Sequence, residues 1–450
     1  MVKSYSSMAS EGIASDEDRF ALESQCENIT DMNPRLSLDP DSSILLHLPI
    51  IHKPITLRAL KYTTFLLCGM ANLWPWNCFL SASEYFQNTL QSSPALASNY
   101  SPTMMTVWTL VSTIFNFYVS QKQENVDYLF RLKSGCLLQI AVFIFMSVGV
   151  FFPKTWTTFY FVFVMLNVAI SAVGACLTQV ALIALVNMKG PIYANANVVG
   201  NAVSGVLPSI FMIIAVLTNK HSQNRSAEGL KYFLTSVLVT LLAFISAKVT
   251  AWQENQALNE GIASQNDTLE PVTTQMHFIP FKHIWRPLKY IESTIILVFS
   301  ITLAFPIFAS SVGSHYIPKR VFVPAIFLVW NLGDLAGRVA CAWKFFVVAN
   351  QKLMILYAVS RILFIPLFLL CNSVSHKEAG SIINDIFYTI LQFLFGFSNG
   401  QLFSSSFMLI GRLLYTDDEK KAAGGYTALV INISLLLGSI MSYLLVLEVD

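Results

Sequence analysis

Apolar residues gather into eleven stretches separated by short polar connections, at approximately 62–82, 102–120, 135–152, 157–187, 197–217, 232–249, 291–312, 322–345, 352–371, 384–410 and 424–446. A helix needs about 20 predominantly apolar residues to cross the hydrocarbon core of a bilayer, so each stretch predicts one transmembrane helix. The fourth and tenth exceed that length, which predicts tilt or extension beyond the bilayer. A single sizeable hydrophilic connection, 250–290, splits the chain six plus five. The pattern therefore predicts an all-α integral membrane protein. A tail at 1–57 precedes a six-helix bundle at 58–249, a loop at 250–290 and a five-helix bundle at 291–450.

The tail is polar, with an acidic run at Asp16–Asp18 and scattered serines. No apolar segment follows a basic start, which argues against a cleaved signal peptide, and such a composition is expected to be mostly disordered. Within it, Asp41, Leu45 and Leu46 have the spacing of an acidic dileucine signal, an address read by trafficking adaptors.

Composition agrees with the pattern. Hydrophobic residues make up 54% of the chain and charged residues 12%, where soluble domains carry about 25% charged. A net charge of +2 gives no indication of nucleic-acid binding. With the N-terminus in the cytosol, cytosolic segments hold 19 Lys and Arg and the opposite side 7; the positive-inside rule selects that orientation. The sequons at Asn99 and Asn224 then face the glycosylating side, and those at Asn28 and Asn266 do not; Asn99 is the better glycan acceptor. Cys68, Cys78, Cys136, Cys176, Cys341 and Cys371 sit singly in apolar stretches, as small fillers. Cys26 lies in the tail. No CxxC, metal-type cluster, Walker A, HExxH, GxSxG or dinucleotide fingerprint is present. Neither a cofactor nor ATP-driven or hydrolytic chemistry is implied.

The stretch 322–345 holds the strongest candidate chemistry. Asn331, Asp334 and Arg338 lie near its middle, where each ionised group costs about 2.5–3.5 kcal/mol on an insertion scale. At about 100° per residue they share one stripe with Phe327, and Asp before Arg at i,i+4 is the favoured order for a helical ion pair. Gly333 and Gly337 form a small-xxx-small edge on another face. The stripe must face protein or a water-filled cavity, either as an ion pair that locks helix packing or as the polar lining of a substrate path.

Other stretches carry weaker signals. Pro75 removes a helix hydrogen bond mid-span, between Trp74 and Trp76, and Asn77 is placed to rebond the freed backbone. Tryptophans usually mark membrane interfaces, but Trp76 lies deep enough to stack on a planar ligand. Asn167 and Gln179 lie in the fourth stretch. Gln179 serves either as helix-to-helix glue or as a donor and acceptor for a nucleobase edge. Gly200, Ser204 and Gly205 suit close packing in the fifth stretch. Arg361 in the ninth needs a buried partner that the sequence does not identify.

Together these motifs resemble the equilibrative nucleoside transporter family. The resemblance rests on LWPWN at 73–77 with SASEYF at 81–86, on Gln179 followed by Gly200 and Gly205, and on NLGDLAGR at 331–338. It extends through RILFIP at 361–366 with Cys371 and Asn372, and through FSNG at 397–400 with Ala423 and Gly424. The WPWN form, with TQVAL at 178–182 and GVLPS at 205–209, is most similar to fungal intracellular members. The resemblance implies a major-facilitator-like fold with the ligand between two helical halves. It implies that Leu73, Trp76 and Leu80 pack against the base and Gln179 bonds its edge. Asp334 and Arg338 would meet the ribose hydroxyls, with Asn331 in the same stripe, and Leu435 would close the site. Two positions depart from the family pattern: Ala175 stands where glycine is usual, with Gly174 one place earlier, and Gln401 follows the NG.

The expected activity is facilitative transport of nucleosides such as uridine and adenosine, and also of nucleobases, by alternating access. A proton-coupled symporter with Asp334 titrating is one rival, opposed by the adjacent Arg338, which favours the ionised carboxylate. A non-transporting receptor is another, and a membrane enzyme the weakest. The dileucine form and fungal likeness favour a vacuolar or lysosome-like membrane over the plasma membrane. Replacing Leu45 and Leu46 by Ala is then expected to relocate a fluorescently tagged chain; unchanged localisation in microscopy would remove the sorting role.

Overall fold

The computed structural model describes residues 44–47, 54–124, 126–152, 156–218, 225–264, 278–303, 312–314, 316–375 and 382–449. Asp41, Cys26 and the sequon asparagines Asn28, Asn224 and Asn266 lie outside the described residues. Contacts divide the chain into Met1–Ala59 and Leu60–Asp450. In the first unit, β1 (Ile44–His47) pairs antiparallel with β2 (Pro54–Thr56), matching Ile44 to Thr56 and His47 to Pro54. Leu45 and Leu46 therefore lie on a strand, within the stretch expected to be disordered.

The remainder is helical. The helices are α1 (Leu57–Ser81), α2 (Ser83–Thr89), α3 (Pro94–Ser98), α4 (Tyr100–Gln121), α5 (Tyr128–Gly149), α6 (Thr157–Lys189) and α7 (Pro191–Thr218). They continue as α8 (Arg225–Ser264), α9 (Phe281–Thr302), α10 (Lys319–Ala340), α11 (Gln351–Ser360), α12 (Phe364–Ser375), α13 (Ile382–Leu413) and α14 (Asp417–Val449). Each of the apolar stretches overlaps this set, and residues 304–311 of the seventh lie outside the described residues. Among the described residues, six helices are long and apolar enough to cross a membrane. Side chains at helical spacing, such as Leu110, Ile114 and Phe117 on α4 and Ile383, Ile386 and Ile390 on α13, are exposed. Apolar arcs of this kind suit a lipid surround.

Local chemistry sets several boundaries. Gly190, at φ 111°, ends α6 in a conformation that a side chain would resist, and Pro191 opens α7. Glu419 in the first turn of α14 accepts the backbone N–H groups of Tyr415 and Thr416 at 2.9 and 3.1 Å, which caps that helix.

Three boundaries differ from the sequence pattern. The eighth stretch was expected to reach residue 345, but α10 stops at Ala340 and a 3-10 turn follows at Lys344–Phe346. Side chains of α13 hold that connection: Gln401 Nε2 donates to the Phe346 carbonyl at 2.8 Å, and Ser405 Oγ accepts from the Val348 N–H at 3.1 Å. The ninth stretch breaks at a 3-10 turn, Arg361–Leu363. Pro366 has no N–H to offer the carbonyl four residues earlier, which loosens the α-helical pattern there. Helix α8 continues to Ser264, well into the expected hydrophilic connection. There Glu254 pairs with Lys61 at 3.1 Å and Lys189 at 2.5 Å.

The tightest seam joins α10 to α13. Gly333 and Gly337 lie against the backbone of Phe393 and Phe397, while Gly396 and Gly400 lie against that of Trp330 and Asp334. A methyl group at any of the four would collide with a carbonyl. Gly200 similarly lets α7 approach the Leu66 carbonyl of α1. With lipid as solvent, such close approach replaces the hydrophobic driving force between helices. Gly400→Val is expected to destabilise the chain by at least about 3 kcal/mol, the upper range for overpacking. Melting of the detergent-solubilised protein checks this.

Candidate functional site

The seam between α10 and α13 encloses the ion pair. Arg338 Nη2 lies 2.8 Å from Asp334 Oδ2, and both residues are buried, at 6% and 4% exposure. A buried pair is tolerated only when its remaining donors and acceptors are met. Asn399 Nδ2 of α13 donates to Asp334 Oδ1 at 2.6 Å. Arg338 Nη1 donates to the Val198 carbonyl of α7 at 2.7 Å, and the guanidinium lies 4.9 Å from the Phe403 ring centroid. Asn195 of α7 donates to the Arg338 carbonyl at 2.9 Å and to Ser404 Oγ at 2.8 Å. Arg338 Nε stays buried without a partner.

The network extends to the second buried arginine. Thr302 Oγ1 of α9 lies 2.6 Å from Asn399 Oδ1 and accepts from Arg361 Nη2 at 3.1 Å. Arg361, with 0% exposure, also donates to Ser398 Oγ and the Val298 carbonyl, each at 3.1 Å, and sits 4.6 Å from the Phe395 centroid. Its expected partner is therefore a set of hydroxyls, carbonyls and a ring. Among the described residues no carboxylate pairs with it directly. The relay through Thr302 and Asn399 links it to Asp334.

Helix α7 presents a second polar line, with Asn197, Asn201, Gly205 and Ser209 at four-residue intervals. Ser209 Oγ accepts from Asn331 Nδ2 at 3.0 Å, and Asn331 also donates to its own helix at the Phe327 carbonyl, 2.8 Å away. Gly205 makes room for that side chain, since a Cβ there would stand 2.7 Å from Asn331 Oδ1. Asn197 and Asn201 join Asn72, Gln179, Leu182, Ile183, Phe403 and Phe407 around a cavity of about 20 Å³, which is room for a single water. The Oδ1 atoms of Asn72, Asn197 and Asn201 are buried without partners. Each unmet buried group costs about 1–3 kcal/mol. Phe403 is the shared wall, lining the cavity and carrying Arg338.

The sequence-predicted residues distribute unevenly around this site. Asp334, Arg338 and Gln179 converge on the surroundings of Phe403, and Asn331 lies nearby against α7. Trp76 is half-buried with its ring 5.4 Å from that of Trp108. Leu73 is half-buried, Leu80 is 36% exposed, and Leu435 packs against the main apolar core. None of these four lines the cavity. Asn77 was expected to rebond its own kinked helix; instead it donates to the Ser204 carbonyl of α7 at 2.8 Å. The close approach of α1 and α7 brings that acceptor within reach, and α1 runs through Pro75 unbroken. Asn167 back-bonds to the Phe163 carbonyl. Asn99 sits exposed between α3 and α4.

Sequence reasoning missed Asn72, Asn195, Asn197, Asn201, Thr302, Asn399 and Phe403. The spacing on α7, and the position of Asn72 one turn before Trp76, were available signals. It also passed over Glu292, an acid in an apolar run of α9 that is 2% exposed and accepts from Thr427 Oγ1 at 2.6 Å.

The all-helical fold is similar to that of solved proteins of the major-facilitator kind. The chain superposes on the proton:xylose symporter XylE with a TM-score of 0.56 at 11% identity, over 87% of this chain and 88% of that one. It superposes on a bacterial homologue of the iron transporter ferroportin with a TM-score of 0.53 at 12% identity, over 86% and 95%. The sequence profile of the nucleoside transporter family matches residues 164–273 and 253–447. Nucleoside transporter FUN26 of Saccharomyces cerevisiae is 32% identical over 94% of this chain and 90% of its own length. Equilibrative nucleoside transporter 1 is 25% identical in Rattus norvegicus and 23% in Homo sapiens, over 88% and 87% of this chain and 98% of each relative. The chain belongs to the nucleoside transporter family, a family of carriers and not of enzymes.

Asp334→Ala and Arg338→Ala are each expected to destabilise the fold by about 3–5 kcal/mol, because each leaves one uncompensated buried charge. The double variant is expected to lose much less than the sum. A double-variant cycle by thermal melting in detergent checks the coupling.

Proposed function

We propose that this protein is a facilitative carrier of nucleosides, and also of nucleobases, working by alternating access without ATP. The single observation that carries this reading is the buried Asp334–Arg338 pair. It ties α10 to α7 and α13, two of the helices that line the small cavity, and leaves Arg338 Nε without a partner. A carboxylate acceptor beside a guanidinium donor suits the vicinal hydroxyls of a ribose. Family membership and the equilibrative transporters among the relatives support the same substrate class. The cavity of about 20 Å³ is far smaller than a nucleoside, so binding requires the helices that line it to part. In this reading eleven helices cross the membrane in a six-plus-five arrangement, with the N-terminus in the cytosol. Leu73, Trp76, Leu80 and Leu435 reach the base in the open state, and the working membrane is vacuolar or lysosome-like.

Purified full-length chain in proteoliposomes is expected to take up labelled uridine and adenosine saturably and to stop at equal concentrations, with or without a pH gradient. Asp334→Ala is expected to abolish uptake. Accumulation above equilibrium only under a gradient would assign a symporter; binding without flux would assign a receptor.

A further inference from the structure

The small cavity bounded by α1, α6, α7 and α13 carries more polar capacity than its size can satisfy. Three primary amides, from Asn72, Asn197 and Asn201, bring three carbonyl oxygens that each need a donor. A single water has only two hydrogens to donate. The Oδ1 atoms of these residues have no partner, although the residues are only 6%, 3% and 8% exposed. Buried polar groups are almost always paired, so three unpaired amide oxygens around one space require an account.

The rest of the lining gives one. Leu182, Ile183 and the rings of Phe403 and Phe407 form the apolar walls, while the three asparagines and Gln179 supply mixed donors and acceptors. Flat apolar faces with amides at the edge recognise a planar heterocycle that carries both donors and acceptors. Against the Phe403 ring lies Arg338 with Asp334, the charged pair assigned above to ribose hydroxyls. We infer that Asn72, Asn197 and Asn201, with Gln179, form the subsite that reads the hydrogen-bonding edge of the nucleobase. This inference rests on the nucleoside reading and adds to it the residues that discriminate the base. In the closed, ligand-free arrangement Phe403 and Phe407 fill the place of the base. When α13 withdraws from α7, the four amides acquire a partner large enough to pair with them.

The test uses full-length protein in proteoliposomes and two ligands of matched shape. One is uridine; the other is a ribonucleoside whose base is difluorotoluene, which lacks ring N–H and carbonyl groups. Wild type is expected to bind uridine at least 100-fold more tightly. Asn72→Leu, Asn197→Leu and Asn201→Leu are each expected to lower that ratio about tenfold, by weakening uridine alone. Discrimination between uridine and 2′,3′-dideoxyuridine should stay unchanged, because the hydroxyls are read elsewhere. The melting temperature of the ligand-free variants should hold or rise, since each loses an unpaired buried carbonyl oxygen. Where leucine prevents folding, the alanine variant at the same position carries the same expectation for the ratio. Parallel weakening of both ligands, or a fall in melting temperature with the ratio intact, would assign the amides to packing and overturn the proposal. Wild type that binds neither ligand would instead remove the nucleoside reading, and this subsite with it.

Discussion

Two opposite charges, Asp334 and Arg338, sit inside a protein whose surroundings are apolar, and the architecture around them follows from the need to compensate both. The pair alone leaves lone pairs and N–H groups unmet. Asn399 reaches the carboxylate from α13, and the Val198 carbonyl reaches the guanidinium from α7. Hydrogen bonds of these lengths demand that three helices converge at one level. The glycines of α10 and α13 permit that convergence, because backbone meets backbone there without intervening side chains. Arg361 joins the same arrangement through Thr302 and Asn399, so two cations and one anion share a continuous relay.

Much of this was legible in the chain. Asp334 and Arg338 stand out because charge is rare in an apolar stretch, and their spacing places both on one face of a helix. Gly333 and Gly337 were legible for the same reason, as a repeat of four. The partners of Arg361 were not, because Ser398, Thr302 and Val298 come from three other segments and nothing local marks them. Asn77 was misassigned because its acceptor, the Ser204 carbonyl, lies more than a hundred residues away along the chain. The early end of α10 was hidden because Trp343 and Phe345 are as apolar as the helix they follow. They are exposed, and the polar groups of Gln401 and Ser405 set the path of the chain beyond the helix.

The two halves of the candidate site differ in kind. Every nitrogen and oxygen of the charged pair except Arg338 Nε has a partner, and its geometry is held from several helices. The amide cluster is buried and under-engaged, enclosed by rings of α13 on one side and by α1, α6 and α7 on the other. A carrier needs both characters. In the proposed cycle, fixed groups would define where the solute stands, and unsatisfied ones would favour parting of the helices around them.

The interlocked glycines also bear on the genetics of this chain. Every single-nucleotide change in a glycine codon that alters the residue adds at least one carbon where only a hydrogen stood, and at positions 333, 337, 396 and 400 that carbon meets a carbonyl. Where a toxic solute crosses a membrane by this route, cells under selection have four small targets at which almost any substitution disrupts the seam. Resistant lineages would accumulate lesions along one helix seam, the one that carries Asp334 and Arg338.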